Sequence, residues 1–213
     1  MQVPASRQAA LEKYRRAAAT YDKGEVPAIE RARRRAIRLL DLQPGDIVLD
    51  VGCGTGLSFP LIEERIGAQG HLIGVDQSPE MLAIARRRVE THKWRNVTLI
   101  ESPVEEANIS GHADAVLFCF THDLLQSPNA LENAFRHVKQ GGRVVAAGFK
   151  GGPWWNLPLN VRVWAYVRHA VTTFDGFGRP WRHLERFVRE MEVEQVWSGA
   201  FYFAWGVADR KRL

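Results

Sequence analysis

Short apolar runs at residues 48–51, 71–75, 97–100, 113–120 and 143–149 alternate with stretches whose apolar positions recur every three or four residues. The runs predict buried strands and the intervening stretches predict helices. The first of these helices covers 59–66 and is broken by Gly67 and Gly70. The next two open on Ser78-Pro79 and Ser127-Pro128, a capping serine followed by a proline at the first helical position. Met81, Leu82, Ala85 and Val89 face inward on the helix after Ser78, and Arg86-Arg87-Arg88 face mostly outward. The helix after Ser127 is expected to stop at Gly141-Gly142. This βαβαβαβαβ order predicts a parallel sheet with right-handed crossovers and a ligand crevice at the carboxyl ends of its strands.

Both ends of the chain depart from that rhythm. Leu11, Tyr14, Ala18 and Tyr21 fall at helical spacing, which predicts a helix over 6–20, interrupted by Gly24 and Pro27. A second helix over 27–40 sets Ile29, Ala32, Ala36 and Leu40 on one side and an Arg31, Arg34, Arg35, Arg38 stripe on another. Two readings of the stripe stay open: a solvated face, or a patch for anionic lipid or another acidic partner. Residues 151–181 are rich in glycine, proline and aromatics, with helical character over 158–171 and a further helix from Arg179-Pro180 to about Glu190. Residues 193–197 and 200–207, parted by Ser198-Gly199, predict a closing β-hairpin.

Composition narrows the class. With 213 residues, 46% apolar and 25% charged, the chain suits one globular domain. The expected division is an N-terminal helical cover over 1–43, a cofactor-binding core over 44–150, an aromatic-rich cap over 151–190 and a closing hairpin over 191–213. No apolar run is long enough for a membrane span, and no apolar leader is evident, so a cytoplasmic protein is expected, at most resting on a membrane surface. Cys53 and Cys119 fall in different elements, which suggests reduced thiols without metal-ligand spacing, and no metal is expected. The net charge of +5 is concentrated in residues 1–40, which hold ten Lys/Arg against four Asp/Glu. That argues against a broad nucleic-acid face on the core.

The first strand runs straight into Asp50-Val51-Gly52-Cys53-Gly54-Thr55-Gly56, with glycine at every second position, and then into a helix. Such a turn lets backbone approach a ligand closely and presents free amides at the helix start. The second strand ends in Asp76, where a doubly wound sheet holds a ribose diol. From Val48 to Gly56 the chain resembles the class I S-adenosylmethionine-dependent methyltransferases, whose motif is of the type hh(D/E)hGxGxG. The resemblance covers roughly 45–150. It implies a Rossmann-like doubly wound, mostly parallel, seven-stranded α/β sheet closed by the hairpin, with S-adenosyl-L-methionine as cofactor and S-adenosyl-L-homocysteine as product.

Carried over residue by residue, the resemblance implies that Gly52, Cys53, Gly54, Thr55 and Gly56 pack along the methionyl portion and ribose. Asp76 would accept the ribose hydroxyls, a charge-assisted pairing. Gln77 and Met81 would flank the adenine. Ser102-Pro103-Val104 stand where relatives place an aspartate near the adenine amino group. Asp50 would orient the loop from behind. Phe120 and Thr121, at the end of the fourth strand, would complete the cofactor's surroundings. His122 and Asp123 follow there, near the methyl group, and His122 is suited to accept a proton at neutral pH. The order Tyr14-Arg15-Arg16 … Tyr21-Asp22 resembles the N-terminal cover of ubiquinone-biosynthesis and phospholipid N-methyltransferases, which would make Tyr21 a lid. Trp154, Trp155 and Trp164 are expected to wall the acceptor pocket.

The acceptor is read as a small or lipid-like molecule, with nitrogen favoured only through the resemblance. Carbon or oxygen methylation of a quinone or other aromatic stays open, as does a module that binds the cofactor without turnover. A nicotinamide oxidoreductase is disfavoured, because Leu57 stands where its fingerprint needs a third glycine. Expected partners are the acceptor and an anionic membrane reached through the basic N-terminal helix.

Overall fold

The computed structural model describes residues 11, 12, 15, 18, 21, 22, 26–152, 155–167, 171 and 173–212. Strands β1 (Ile47–Val51), β2 (His71–Asp76), β3 (Val97–Glu101), β4 (Ala113–Cys119), β5 (Val138–Phe149), β6 (Val188–Val196) and β7 (Phe201–Ala208) form one sheet in the order β3-β2-β1-β4-β5-β7-β6. β1 to β5 are parallel, and β7 runs antiparallel to both β5 and β6. The chain winds outward from β1 to β3, then returns to lay β4 on the other side of β1. That reversal opens a crevice above the carboxyl ends of β1 and β4.

Helices α1 (Pro27–Leu39), α2 (Phe59–Ile66) and α3 (Pro79–His92) cover one face, and α5 (Pro128–Arg136) the other. A single turn, α4 (His122–Leu125), follows β4, and α6 (Leu157–Val167) lies between β5 and β6. Strand alternation decides which side chain joins which core. Leu49, Val51, Ile73, Val75, Val116 and Phe118 pack with Leu131 and Phe135 of α5. Val48, Leu72, Ala115 and Leu117 pack with Ile37, Phe59, Ile62 and Leu82 on the opposite face. Each fully buried large apolar side chain contributes about 1.5–3 kcal/mol, so the strand ends that carry the crevice are held from both sides. Ser78 Oγ accepts from Met81 N–H and Ser127 Oγ from Ala130 N–H, each at 3.3 Å, closing the starts of α3 and α5 as their sequences predict.

Two boundaries differ from expectation. α5 stops at Arg136, and β5 has already begun at Val138, which pairs with Ala113. Gly141-Gly142 is therefore a bulge inside β5, with Gly141 at φ 76°. A helix stop and a strand bulge both use glycine at positive φ, so sequence does not separate them. Likewise β6 begins at Val188, preceded by one 3₁₀ turn (Leu184–Arg186), where a helix to Glu190 was expected. Pairing with β7 overrides the helical spacing of Phe187, Val188 and Met191, and Glu190 at φ 54° marks the bulge between Arg189 and Glu192.

Leu11, Glu12, Arg15, Ala18 and Tyr21 have helical backbone, and Tyr14 lies outside the described residues, as does Trp154. The arginine stripe of α1 is partly engaged. Arg34 pairs with Glu30 at 2.8 Å, and Arg35 pairs with Glu194 of β6 and lies over the Phe203 ring. Arg31 and Arg38 are exposed. Among the described residues no helix is long and apolar enough to cross a membrane.

Candidate active site

β1 passes into α2 through the glycine loop, whose path is set by hydrogen bonds to its neighbours. The N–H groups of Gly52 and Cys53 both donate to the Val75 carbonyl, at 2.8 and 3.1 Å, which ties the loop to β2. Gly52 sits at φ 72°, and a Cβ there would stand 2.6 Å from Thr121 Cγ2 and 2.8 Å from Leu124 Cδ1. Its glycine is needed so that the loop can pass the turn after β4. Gly54, at φ 55°, is the opposite case: a Cβ there would meet nothing within 4 Å. Its bare backbone faces open space.

Asp76 ends β2 beside this loop. Its Oδ2 accepts from Gly54 N–H at 2.9 Å and its Oδ1 from Ser78 N–H at 2.8 Å. Burial raises its pKa, and the N–H donors of Ser78, Gly54 and Gln77 oppose the shift. Asp50 lies deeper, 2% exposed, with Oδ2 lacking any hydrogen-bond partner among the described residues. Burial pushes its carboxyl up to about 7, against the attraction of the Arg33 guanidinium and with the repulsion of Asp76. Burial, together with the charges of Asp76 and Asp50, drives the Cys53 thiol well above its usual range. A thiol so held stays protonated and is no nucleophile.

The tip of β4 is the second wall. Phe120 adopts φ 63°, an unusual conformation for a bulky side chain and a mark of a functional turn. Its N–H donates to the Ala147 carbonyl, and its ring contacts Phe149 and Phe201. This turn starts α4 with Thr121, His122 and Asp123. His122 Nε2 lies 3.0 Å from the Asp175 carbonyl, its ring meets Phe177 edge-on, and its buried Nδ1 has no hydrogen-bond partner among the described residues. A carbonyl only accepts, so Nε2 carries the proton and Nδ1 the lone pair. Burial lowers the pKa of His122, more than Asp123 and the Asp175 carbonyl raise it. Asp123 Oδ1 accepts from Thr173 N–H at 3.4 Å.

These walls enclose a cavity of about 260 Å³. Of the residues singled out in the sequence, Tyr21, Gly52, Cys53, Gly54, Thr55, Asp76, Gln77, Met81, Pro103, Val104, Phe120, Thr121, His122 and Asp123 line it. Asp50, Gly56 and Ser102 are not in the lining. Ser102 Oγ instead donates to the Pro103 carbonyl at 2.9 Å. The tryptophan expectation also needs correction: Trp155 and Trp164 are 68% and 50% exposed and do not line the cavity, while Val171 does.

Arg33 was missed. It is only 7% exposed, lines the cavity, donates to Ser58 Oγ at 3.2 Å and sits 5.2 Å over the Phe120 ring. The signal was present: Arg33 stands four residues from both Ile29 and Ile37, on the apolar face of α1 and not in the exposed stripe. An arginine at such a position is buried, and here its guanidinium borders the cavity while attracting the buried Asp50 carboxylate.

A doubly wound sheet with a glycine loop and an acid at the tip of its second strand defines a nucleoside-binding enzyme class. The chain belongs to the S-adenosylmethionine-dependent methyltransferases, and S-adenosylmethionine is its methyl donor. Residues 48–142 match the family described as "Methyltransferase domain". A relative from Bacillus cereus, named demethylmenaquinone methyltransferase, is 30% identical over 197 residues, covering 83% of this chain and 81% of its own length. Solved structures share the fold. A SAM-dependent methyltransferase from Aquifex aeolicus has a TM-score of 0.64 at 19% identity, covering 90% of this chain and 98% of its own. The N-methyltransferase NodS from Bradyrhizobium japonicum, in complex with S-adenosyl-L-homocysteine, has a TM-score of 0.67 at 16% identity, covering 94% and 99%.

Proposed function

We propose that this methyltransferase acts on an aromatic, quinol-like acceptor and methylates a ring carbon next to a hydroxyl. The observation that carries the reading is His122, which lines the cavity with its Nε2–H held by the Asp175 carbonyl and its buried Nδ1 without a hydrogen-bond partner among the described residues. A neutral imidazole takes the proton of an acceptor hydroxyl at Nδ1 when the acceptor displaces what covers that atom. The oxyanion left behind enriches the adjacent ring carbon, which after gaining the methyl gives up its own proton to solvent as the ring regains aromaticity. Tyr21, Phe120 and Val171 offer an aromatic and apolar surround for a flat ring. The relatives' name, demethylmenaquinone methyltransferase, supports a quinone-type acceptor over an amine.

For the cofactor, the residues fit the group. Gly54 leaves its backbone open to the cavity, Asp76 presents a carboxylate to a ribose, and Gln77, Met81, Pro103 and Val104 offer a slot for the adenine. Gly52, Cys53 and Thr55 follow the methionyl portion, and the Arg33 guanidinium suits its carboxylate. S-adenosylmethionine supplies an electrophilic methyl when bound. The protein supplies alignment, desolvation and the base.

The same reading extends to where the enzyme works. Trp155, Leu157, Val161 and Trp164 are at least half exposed, and the last three share one face of α6. Residues 151–174 contain no acidic side chain and include Arg162 and Arg168. The inner face of α6 packs on Val171 and Phe177, next to the cavity and His122. Exposed tryptophans in a segment without acidic residues suit peripheral contact with an anionic membrane, to which the exposed Arg31 and Arg38 of α1 would add.

The test is turnover with methyl-labelled cofactor on a demethylated naphthoquinol, a catechol and a primary-amine panel, with and without anionic vesicles. Label on the quinol ring carbon is the expected product. Label confined to amine nitrogen or catechol oxygen would refute the acceptor, and vesicles that neither bind the protein nor raise its rate would refute the membrane contact.

A further inference from the structure

Directly after Tyr21 comes Asp22, whose carboxylate bridges two distant parts of the chain. Its Oδ1 accepts from Thr55 Oγ1 at 2.6 Å, and its Oδ2 pairs with Arg88 Nη2 at 2.6 Å. Arg88 Nε in turn donates to the Thr55 carbonyl at 3.1 Å. The three residues thus close a ring of polar contacts between the N-terminal segment, the glycine loop and α3. The ring is charge-assisted on all three of its sides, and its centre, Thr55, is only 1% exposed. Arg88 was expected to face mostly outward, and instead it reaches over the loop.

We propose that Asp22 and Arg88 are positioning residues that latch the Tyr21 segment onto the cofactor loop, so that cofactor binding and closure of the acceptor site are coupled. The proposal rests on the reading of the cavity as the cofactor and acceptor site. Thr55 carries the coupling because it belongs to both halves. It lines the cavity between Gly54 and Gly56, and its hydroxyl and carbonyl are the two groups the latch holds. Tyr21 lines the same cavity, so whatever holds Asp22 also holds Tyr21 against it. A loop ordered by cofactor presents both Thr55 groups at once. A loop free to move presents them only part of the time, and the latch then opens more often. Linkage requires the converse: a closed latch favours the loop conformation that binds cofactor.

Hydrogen exchange with and without S-adenosyl-L-homocysteine reads both halves separately. In the wild type the product should slow exchange in the glycine loop and in the peptide over residues 11–22 together. In Arg88→Ala, loop protection should persist while N-terminal exchange becomes about tenfold faster and no longer responds to the product. Asp22→Asn, which keeps the Thr55 contact and loses the charge, should give an intermediate effect. Asp22→Ala combined with Arg88→Ala should do no more harm than either alone, since the two act as one unit. In turnover, the latch variants should raise the acceptor KM more than they lower kcat at saturating acceptor. Loop protection with an N-terminal response equal in wild type and Arg88→Ala would overturn the latch and leave the cofactor reading standing. No protection of the wild-type loop would overturn both.

Discussion

The backbone N–H of Gly54 donates to Oδ2 of Asp76 at 2.9 Å, so the glycine loop and the tip of β2 are one hydrogen-bonded unit. The carboxylate has a second task on Ser78 N–H, which orients it and starts α3. Asp76→Ala should therefore weaken S-adenosyl-L-homocysteine binding at least tenfold, by losing the ribose partner and loosening the loop. Calorimetry that finds equal affinities would remove the ribose from Asp76. Gly54→Val should abolish binding and also lower stability, because its side chain enters open space but the backbone at φ 55° strains a β-branched residue.

Arg33 is expected to recognise the methionyl carboxylate. Arg33→Met should weaken S-adenosyl-L-homocysteine by about tenfold. It should leave methylthioadenosine, which lacks that carboxylate, within about twofold of wild type. Equal losses for both ligands would make Arg33 a packing residue only.

His122→Ala should lower turnover by about two orders of magnitude while cofactor affinity stays nearly constant. The pH profile carries a sign. Burial lowers the pKa of His122 from the ordinary 6.5, so the neutral base persists below that value. The wild-type rate should be flat through neutrality and fall only as pH drops through the lowered pKa. The acid limb should be missing from His122→Ala, and a variant that keeps the limb would assign it elsewhere.

Asp50 should make stability depend on pH. Its pKa rises from 3.8 unfolded to about 7 folded, so between these values the folded chain keeps a proton that the unfolded chain has released. Its contribution therefore declines as pH rises across that window and is lowest above about 7. Asp50→Asn should stabilise the ligand-free protein at pH 8 by on the order of 2 kcal/mol, with a smaller gain at pH 5. Urea denaturation at the two pH values is the measurement, and an equal gain at both would show that Asp50 is ionised throughout.

The part of the cavity built by the glycine loop and Asp76 was legible because its pieces are close in sequence. A strand, a glycine turn and a helix occupy one short stretch, and Asp76 follows one helix later. Local backbone geometry and strand period dictate where such groups point, whatever the rest of the chain does. Gly141-Gly142 marks the edge of that legibility: the glycines signal positive φ, but pairing of Val138 with Ala113 decides that they form a bulge.

The part around His122 and Arg33 was decided by tertiary packing. The tautomer of His122 depends on a carbonyl 53 residues away, and the surroundings of Arg33 depend on Ser58 and Phe120. Trp155 and Trp164 have the composition of a pocket wall, yet Trp155, just before α6, and Trp164 on it are exposed, and Val171 takes the position at the cavity. Asp22 and Arg88 are 66 residues apart, and nothing local to either announces the other. The sequence by itself determined the sheet, the glycine loop and the acid at its edge, because these follow from periodicity and turn chemistry over short spans. Which buried arginine, which imidazole nitrogen and which carboxylate meet at the cavity was decided only when distant segments packed, because the direction of a side chain's polar group depends on partners that the fold brings to it.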